Sequence, residues 1–227
     1  MTEQQLRQQA VDLICGWVGA PKGSATHHQI IDIYNSHKPI PRGVRMSYTM
    51  DWCAATTSAV GIALGLTDIM PVECSCGSLL RLYQGLRRWV EDDAYVPQLG
   101  DLILYSWADD GVGDNIKAPN HVGMVVGVSG TTITVVEGNM GSPSHVGTRK
   151  IPVNGRYIRG YCCPDYASMA DKPPASNLDT TKPWYADSWK KATDLGLVDG
   201  TRPEDPITRA EVVEIVLRAL YGQKGAE

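Results

Sequence analysis

One cysteine in the sequence has surroundings that make a thiol nucleophilic. Cys53 follows Asp51 and begins a run of small residues that favours a closely packed helix, which Gly65 is placed to end. In the first turn of a helix, unpaired backbone N–H groups and the positive end of the helix dipole lower the pKa of a thiol. With Asp51 as the N-cap, we expect Cys53 to be a thiolate nucleophile. The alternative is a small buried side chain, the usual role of a free cysteine.

A predicted pair of strands supplies a histidine and a carboxylate for this cysteine. The segments NHVGMVVGV and TTITVVEGN, joined by SG, predict a strand, a tight turn and a strand, with His121 at the start. If a three-residue loop ends at Gly130 in the left-handed conformation, Gly127 pairs with Thr131 and His121 lies opposite Glu137. Directly paired residues share a face of the sheet, so imidazole and carboxylate can meet. A two-residue loop would place them on opposite faces.

Asn139 adds a second polar side chain to this strand pair. It lies two residues after Glu137 and is expected on the same face of the strand. Nucleophile, base and orienting group thus follow one another along the chain, on a helix start and two adjacent strands. This order predicts acyl transfer by a cysteine nucleophile, with histidine as the base and an acid or amide that orients the imidazole.

Three short motifs of the chain resemble a known family. WCA at the cysteine, HVG at the histidine and EGN after the next strand are similar to the CHAP family of peptidoglycan amidases and endopeptidases, which is related to NlpC-type peptidases of the papain-like group. The resemblance covers about residues 29–166. It implies an α+β, papain-like cysteine hydrolase fold in which N-terminal helices pack on an antiparallel sheet.

The resemblance also assigns roles to individual residues. It implies that the nucleophile is Cys53, the general base His121, the imidazole-orienting group Glu137 and a supporting polar residue Asn139. Tyr48 and Trp52, just before the cysteine, would support the oxyanion or the substrate. His145, in a glycine- and serine-rich loop, is an alternative to Glu137 as the partner of the imidazole.

The substrate that the resemblance implies is bacterial peptidoglycan. An N-acetylmuramoyl-L-alanine amidase would cleave the muramoyl to alanine amide, whereas an endopeptidase would cleave a peptide bond of the stem or cross-bridge. The sequence does not choose between them. Two rival functions stay open: a cysteine peptidase or transamidase that acts on proteins, and a wall-binding module with a vestigial catalytic site.

Neither metal nor cofactor is predicted. The loop ADDGVGDNIKAPN before the histidine offers oxygen ligands for calcium, but their spacing does not match a twelve-residue EF-hand loop, so a solvated loop is expected. The Cys-Ser-Cys and Cys-Cys pairs are spaced too closely for a typical zinc site, so structural cysteines are expected.

Composition and charge restrict the partners and the compartment. The chain has 227 residues, 43% of them hydrophobic, and a net charge of −4, which gives no electrostatic reason to expect nucleic acid or an anionic membrane as a partner. No apolar run reaches the ~18 residues of a membrane span. The start MTEQQLRQQAVDL lacks the apolar core of a signal peptide. We therefore expect synthesis in the cytoplasm without a signal peptide and action at the bacterial cell wall after release, as in a phage endolysin.

A change in composition predicts a second domain. Residues 1–168 form the predicted catalytic domain, and residues 169–183 a linker rich in proline, serine and threonine. Residues 184–227 predict a small all-α domain that resembles one S-layer homology repeat, with a tryptophan helix and a TRAE helix start. Such repeats bind secondary cell-wall polymers, so Trp189 and Arg209 are the expected binding residues. A lone helical pair buries little apolar surface, so packing on the catalytic domain or association into a homo-oligomer is expected.

Overall fold

The computed structural model describes residues 1–92, 94–170 and 186–198. The chain divides into two compact units, Met1–Asp171 and Lys172–Glu227. Of the predicted linker, residues 169 and 170 are described, and Arg209 of the predicted second domain lies outside the described residues.

The described part of the first unit combines helices with one antiparallel sheet, which confirms a mixed α and β class. Its helices are α1 Glu3–Cys15, α2 Ala25–Ser36, a 3-10 turn Pro41–Gly43, α3 Cys53–Ala63, α4 Cys76–Gly85 and α5 Tyr166–Met169. Its strands are β1 Trp89–Val90, β2 Leu102–Tyr105, β3 His121–Ser129, β4 Thr132–Met140, β5 His145–Pro152 and β6 Ile158–Cys162. The second unit contributes α6, Ala186–Asp194. In the part of the chain that the structure describes, no helix is both long and apolar enough to cross a membrane.

The sheet has the strand order β1-β6-β2-β3-β4-β5. The sequence around Asn154 and Gly155 predicts that the last two strands close as a hairpin, and this pairing is wrong. β5 pairs with β4, whereas β6 pairs with β2 and β1. All residues of β6 are buried, which suits a strand inside the sheet, while β5 exposes alternate positions, as expected at an edge.

Helix α3 is the central element of the helical layer. It packs against α1 and α2 on one side and against β3 and β4 on the other. Its first nine residues are all buried, because its small side chains let neighbouring elements approach closely. The approach to β4 requires a glycine: a Cβ atom added to Gly138 would stand 2.8 Å from the Cβ of Thr56.

The turn into β2 is built on a buried carboxylate. Asp101 accepts a hydrogen bond from the backbone N–H of Gln98 at 2.9 Å. It also accepts one from Arg7 Nη1 at 3.0 Å. The same side chain therefore shapes the turn and fastens α1 to the sheet.

Candidate active site

The start of α3 differs from the prediction in its cap. The helix begins directly after Trp52, and no side chain caps it, so the prediction of Asp51 as the N-cap is wrong. The Asp51 carboxylate instead accepts a hydrogen bond from Asn139 Nδ2 at 3.0 Å. Without a side-chain cap, the first N–H groups of α3 stay available to a thiolate or an oxyanion at Cys53.

The turn between β3 and β4 is shorter than the predicted one. Ser129 pairs with Thr132 across a two-residue loop, so the predicted pairing of Gly127 with Thr131 is wrong. Gly130 takes the left-handed conformation, with φ of 56°. By itself, the shorter loop would place the histidine and the carboxylate on opposite faces of the sheet.

A β-bulge in β3 restores the relation between these two side chains. The register shifts by one residue between Val125 and Gly127. Because side chains alternate with a period of two, the shift cancels the effect of the shorter loop, and His121 and Glu137 share a face again. Their side chains meet, with His121 Nε2 at 3.0 Å from Glu137 Oε2. The predicted contact is therefore present, but its cause is the bulge.

A glycine leaves room for the Glu137 side chain. A Cβ atom added to Gly123 would stand 2.7 Å from Glu137 Cγ. The missing side chain lets the carboxylate lie across β3 toward His121. Any larger residue at position 123 would displace it.

Arg149 of β5 holds the other side of the same carboxylate. Its Nε lies 2.7 Å from Glu137 Oε1, and its Nη2 lies 2.9 Å from Oε2, which makes a bidentate pair. Glu137 is fully buried, so a charge there requires partners of this kind. Burial raises the pKa of Glu137, but hydrogen bonds from His121 and Arg149 outweigh it and hold the pKa below its ordinary value.

Cys53 lies against a second thiol, at the start of α4. The Sγ atoms of Cys53 and Cys76 are 3.8 Å apart, and each cysteine is the first residue of its helix. A hydrogen bond from Cys76 lowers the pKa of the Cys53 thiol to about 5, together with His121 and the N–H of Ala54, whereas burial opposes the shift. The interaction with Cys53, with burial, raises the pKa of Cys76 far above its ordinary value. These opposite pKa directions favour Cys53 as the thiolate of the pair and Cys76 as the thiol.

His121 is the cation beside this thiolate. Burial lowers its pKa, but hydrogen bonds and charges from Cys53 and Glu137 outweigh burial and raise the pKa to about 9. Because Nε2 contacts Glu137, Nδ1 is the ring nitrogen left for Cys53. Cys53 and His121 each keep 7% of their surface exposed, so neither side chain is fully enclosed.

Asn139 does not lie where the strand alternation predicts. Its φ is 57°, and the register of β4 with β5 shifts between Glu137 and Met140, so the alternation is interrupted there. The Asn139 Oδ1 accepts a hydrogen bond from Ser144 Oγ at 2.8 Å. Together with its bond to Asp51, this contact ties the segment before the cysteine to the loop after β4.

Tyr48 and Trp52 pack on α2. The Tyr48 hydroxyl donates to Asp32 Oδ1 at 2.9 Å, and its ring stacks on that of His28 with centroids 3.9 Å apart. Trp52 is fully buried, with its ring edge on His27 at a centroid distance of 4.5 Å. These contacts make Trp52 a support for the start of α3 and turn Tyr48 toward α2.

The other candidates have partners of their own. His145 Nδ1 lies 3.0 Å from the carbonyl oxygen of Pro143. In the loop before the histidine, Asp109 Oδ1 accepts from the N–H of Gly111 at 3.0 Å, and Asp110 Oδ2 lies 2.8 Å from Lys117 Nζ. The loop is not uniformly solvated as expected, because Asp109 is buried. In the second unit, the carbonyl of Trp189 accepts from Thr193 Oγ1 at 2.9 Å within α6.

Three residues of the site were missed by the sequence reasoning. Arg149 and Cys76 come from elements far from the histidine and cysteine motifs. Trp107 is the third: it is 38% exposed, its ring lies 5.8 Å from that of His121, and Arg149 lies 4.9 Å over its face. A signal existed for Arg149, because a basic residue on the strand after Glu137 can reach that carboxylate if the two strands pair.

The arrangement has the groups that acyl transfer by a thiol requires. The Cys53 thiolate can attack a carbonyl carbon, the N–H groups at the start of α3 can bind the resulting oxyanion, and the His121 imidazolium can protonate a leaving group.

Comparisons with known proteins give distant similarities. No family model and no curated protein matches the sequence. Among solved structures, the chain is similar to an NlpC/P60 family protein from Bacillus cereus, with 17% identity and a TM-score of 0.39, over 69% of this chain and 39% of that one. It is also similar to Ly7917, with 13% identity and a TM-score of 0.41, over 70% of this chain and 62% of that one. The chain thus spans less than two thirds of either structure, and TM-scores this low do not assign it to a family.

Proposed function

We propose that the chain is a cysteine hydrolase that cleaves an amide bond in the stem peptide of bacterial peptidoglycan. The observation that carries the proposal is the thiol of Cys53 at the uncapped start of α3, with a pKa lowered to about 5, beside an imidazole that Glu137 holds at 3.0 Å. Burial alone would raise the pKa of this thiol, and the contacts with Cys76 and His121 outweigh it.

The reaction proceeds in two steps. The Cys53 sulfur attacks the amide carbon, the oxyanion is stabilised by N–H groups at the start of α3, and His121 gives its proton to the leaving amine. This step leaves a thioester on Cys53. His121, now neutral, takes a proton from water, which attacks the thioester and releases the acid.

The wall as substrate is supported by the WCA, HVG and EGN motifs, which resemble CHAP and NlpC-type enzymes. Either the muramoyl to L-alanine amide or a stem-peptide bond is the target. The second unit would bind a secondary cell-wall polymer through Trp189 and Arg209 and so retain the enzyme on the wall. The chain would then act like an endolysin, which reaches the wall after its release from the cytoplasm. The mechanism requires no cofactor.

Digestion of purified wall sacculi, followed by mass analysis of the released fragments, tests this function. We expect soluble fragments from the native chain, and Cys53→Ala should lower their rate of release by about 10³-fold or more while wall binding persists. Cys15→Ala removes an exposed cysteine of α1 and should keep full activity. Fragments with a freed lactyl group and a peptide with an N-terminal alanine would identify an amidase, and cleaved stem peptides an endopeptidase.

The same experiment separates the rivals. A wall-binding module with a vestigial site would release nothing, or would release fragments equally well after Cys53→Ala. A protein-directed peptidase or transamidase would leave sacculi intact and process a protein substrate.

A further inference from the structure

Two cysteine thiols converge at one point of the helical layer. Cys53 begins α3, Cys76 begins α4, and their sulfur atoms are 3.8 Å apart. A disulfide has an S–S length of about 2.05 Å, so the sulfurs need to approach by less than about 2 Å to form a bond. A Cβ atom added to Gly77, directly after Cys76, would meet no atom within 4 Å, so no close contact on that side opposes the adjustment.

A set of hydrogen bonds, buried in part, holds the second cysteine beside the first. Ser58 of α3 donates through Oγ to the carbonyl of Glu73 at 2.7 Å and accepts from the Glu73 N–H at 2.9 Å. The Glu73 carboxylate accepts from the N–H groups of Cys74 and Ser75, at 2.7 Å and 3.1 Å. Arg42 pairs with the same carboxylate through two contacts, at 2.8 Å and 2.7 Å. The segment that precedes Cys76 is thus attached to the helix that carries Cys53.

We propose that Cys53 and Cys76 form a modification site that a small peroxide converts reversibly into a disulfide. Cys53 is the residue that is oxidised, and Cys76 is the residue that resolves it. The 7% and 8% of their surfaces that stay exposed suit a peroxide as small as hydrogen peroxide.

The chemistry balances in two steps. The Cys53 thiolate attacks one oxygen of hydrogen peroxide, the O–O bond breaks, hydroxide leaves, and Cys53 becomes a sulfenic acid, so that sulfur loses two electrons and the peroxide gains them. The Cys76 sulfur then attacks the Cys53 sulfur, the S–O bond breaks, and the departing hydroxide takes the thiol proton to leave as water. Oxidation removes the thiolate whose presence keeps Cys76 protonated, which makes the second step easier. An external dithiol reverses the modification by exchange.

Peptide mapping of the peroxide-treated full chain tests the proposal. After treatment with hydrogen peroxide under native conditions, the protein is denatured, its free thiols are alkylated, and it is cleaved after Lys, Arg and Glu. Cleavage after Arg45, Glu73 and Arg81 puts Cys53 in peptide 46–73 and Cys76 in peptide 74–81. We expect the two peptides to appear linked, with Cys74 alkylated, at a mass two hydrogen atoms below the sum of peptide 46–73 and the singly alkylated peptide 74–81. They should separate after reduction by dithiothreitol.

A neighbouring cysteine provides the matched control. Cys74 lies in the same peptide as Cys76, and its sulfur is 3.7 Å from Arg42 Nη2. Cys74→Ser should still give the linked peptides. Cys76→Ser should abolish the link and leave Cys53 to oxidise further, with a gain of two or three oxygen atoms that dithiothreitol does not reverse.

The result that overturns the proposal is absence of the link in the native chain, or a link that persists in Cys76→Ser. Because the readout is mass, it does not depend on wall hydrolysis. If the chain forms the link but does not digest sacculi, the modification site is supported and the proposed function is wrong. If it digests sacculi but forms no link, the proposed function is supported and the modification site is wrong.

Discussion

Charge at the reacting residues decides what the candidate site can do. Cys53 and His121 are buried, yet the thiol pKa is lowered to about 5 by Cys76 and His121, while Cys53 and Glu137 raise the imidazole pKa to about 9. An isolated buried pair would lose both charges, since burial penalises each of them. The hydrogen bond between the two cysteines and the one from His121 to the Glu137 carboxylate are therefore what keep the charged form.

The pH dependence of the reaction follows from the lowered pKa of Cys53 and the raised pKa of His121. Below about pH 5 the thiolate gains a proton and stops being a nucleophile, and above about pH 9 the imidazolium loses the proton that the leaving amine needs. We expect kcat/KM to be level between these limits and to fall on both sides. Alkylation of Cys53 by iodoacetamide, followed by mass, should show the same acid limb. A single limb near the ordinary thiol pKa of about 8.5 would contradict an ion pair.

Arg149 is a positioning residue, because it acts on the imidazole through Glu137. Arg149→Ala leaves a fully buried carboxylate with one charged partner fewer, and we expect kcat/KM to fall about 10- to 100-fold. The acid limb should also move to higher pH. Without Arg149 the pKa of Glu137 rises, a protonated Glu137 no longer stabilises the imidazolium of His121, and the Cys53 thiolate loses the cation that lowers its pKa. Arg149→Lys should restore part of both effects.

Arg156 offers a comparison for this variant. It is another arginine over an aromatic ring, that of Tyr157, and it donates to the carbonyl of Asp109. Arg156→Ala should leave the pH profile in place. A purely structural role for Arg149 would lower the melting temperature of Arg149→Ala while both limbs stay where they are.

Elements meet closely where the site is built. Thr56 is the side chain of α3 that faces Gly138 of β4. Its hydroxyl donates to the carbonyl of Trp52 at 2.8 Å. The β-bulge of β3 and Gly123 then place the carboxylate beside the imidazole. Two glycines and one bulge thus set the distances between helix and strands.

Gly138→Ala tests this close approach. The added methyl group would stand 2.8 Å from Thr56 Cβ, so α3 must move away from β4. We expect unfolding to become easier by about 1–3 kcal/mol, together with a lower kcat/KM, since α3 carries the nucleophile. Gly127→Ala in β3 adds a methyl group at an ordinary 3.6 Å from Thr134 Cβ and should change neither quantity appreciably. Equal effects of the two substitutions in denaturant unfolding would refute the argument.

At the scale of the whole molecule, two compact units divide the chain. The residues of the candidate site belong to the first unit, Met1–Asp171, whereas Trp189 and Arg209 belong to the second. If the second unit binds a wall polymer, it adds a second attachment and raises the effective concentration of the enzyme at its substrate.

Truncation after residue 171 should therefore separate binding from chemistry. We expect residues 1–171 to hydrolyse a soluble muropeptide with unchanged kcat/KM and to bind sacculi about 10-fold more weakly or worse. Sedimentation with sacculi measures the binding. Arg209→Ala in the full chain should reproduce part of the loss, and equal retention of all three proteins on sacculi would exclude a wall-binding role for the second unit.

The sequence by itself determined the local features of this protein. A cysteine before a run of small residues predicts that Cys53 lies in the first turn of a helix, and alternation along two strands predicts that His121 and Glu137 meet. The first prediction holds because a helix start depends on short-range spacing, whereas the shared face of the two strands also depends on their register. The predicted loop was one residue too long. The contact between His121 and Glu137 is present only because the bulge near Val125 shifts the register back.

Only the tertiary structure decided which distant residues join them. Cys76 arrives through the start of α4 and Arg149 through β5, while Asn139 takes a positive φ and accepts a hydrogen bond from Ser144. Likewise, Asp51 pairs with Asn139 instead of capping α3. Each outcome depends on how whole elements pack, and packing is a property of contacts between segments far apart in sequence, which no local pattern records.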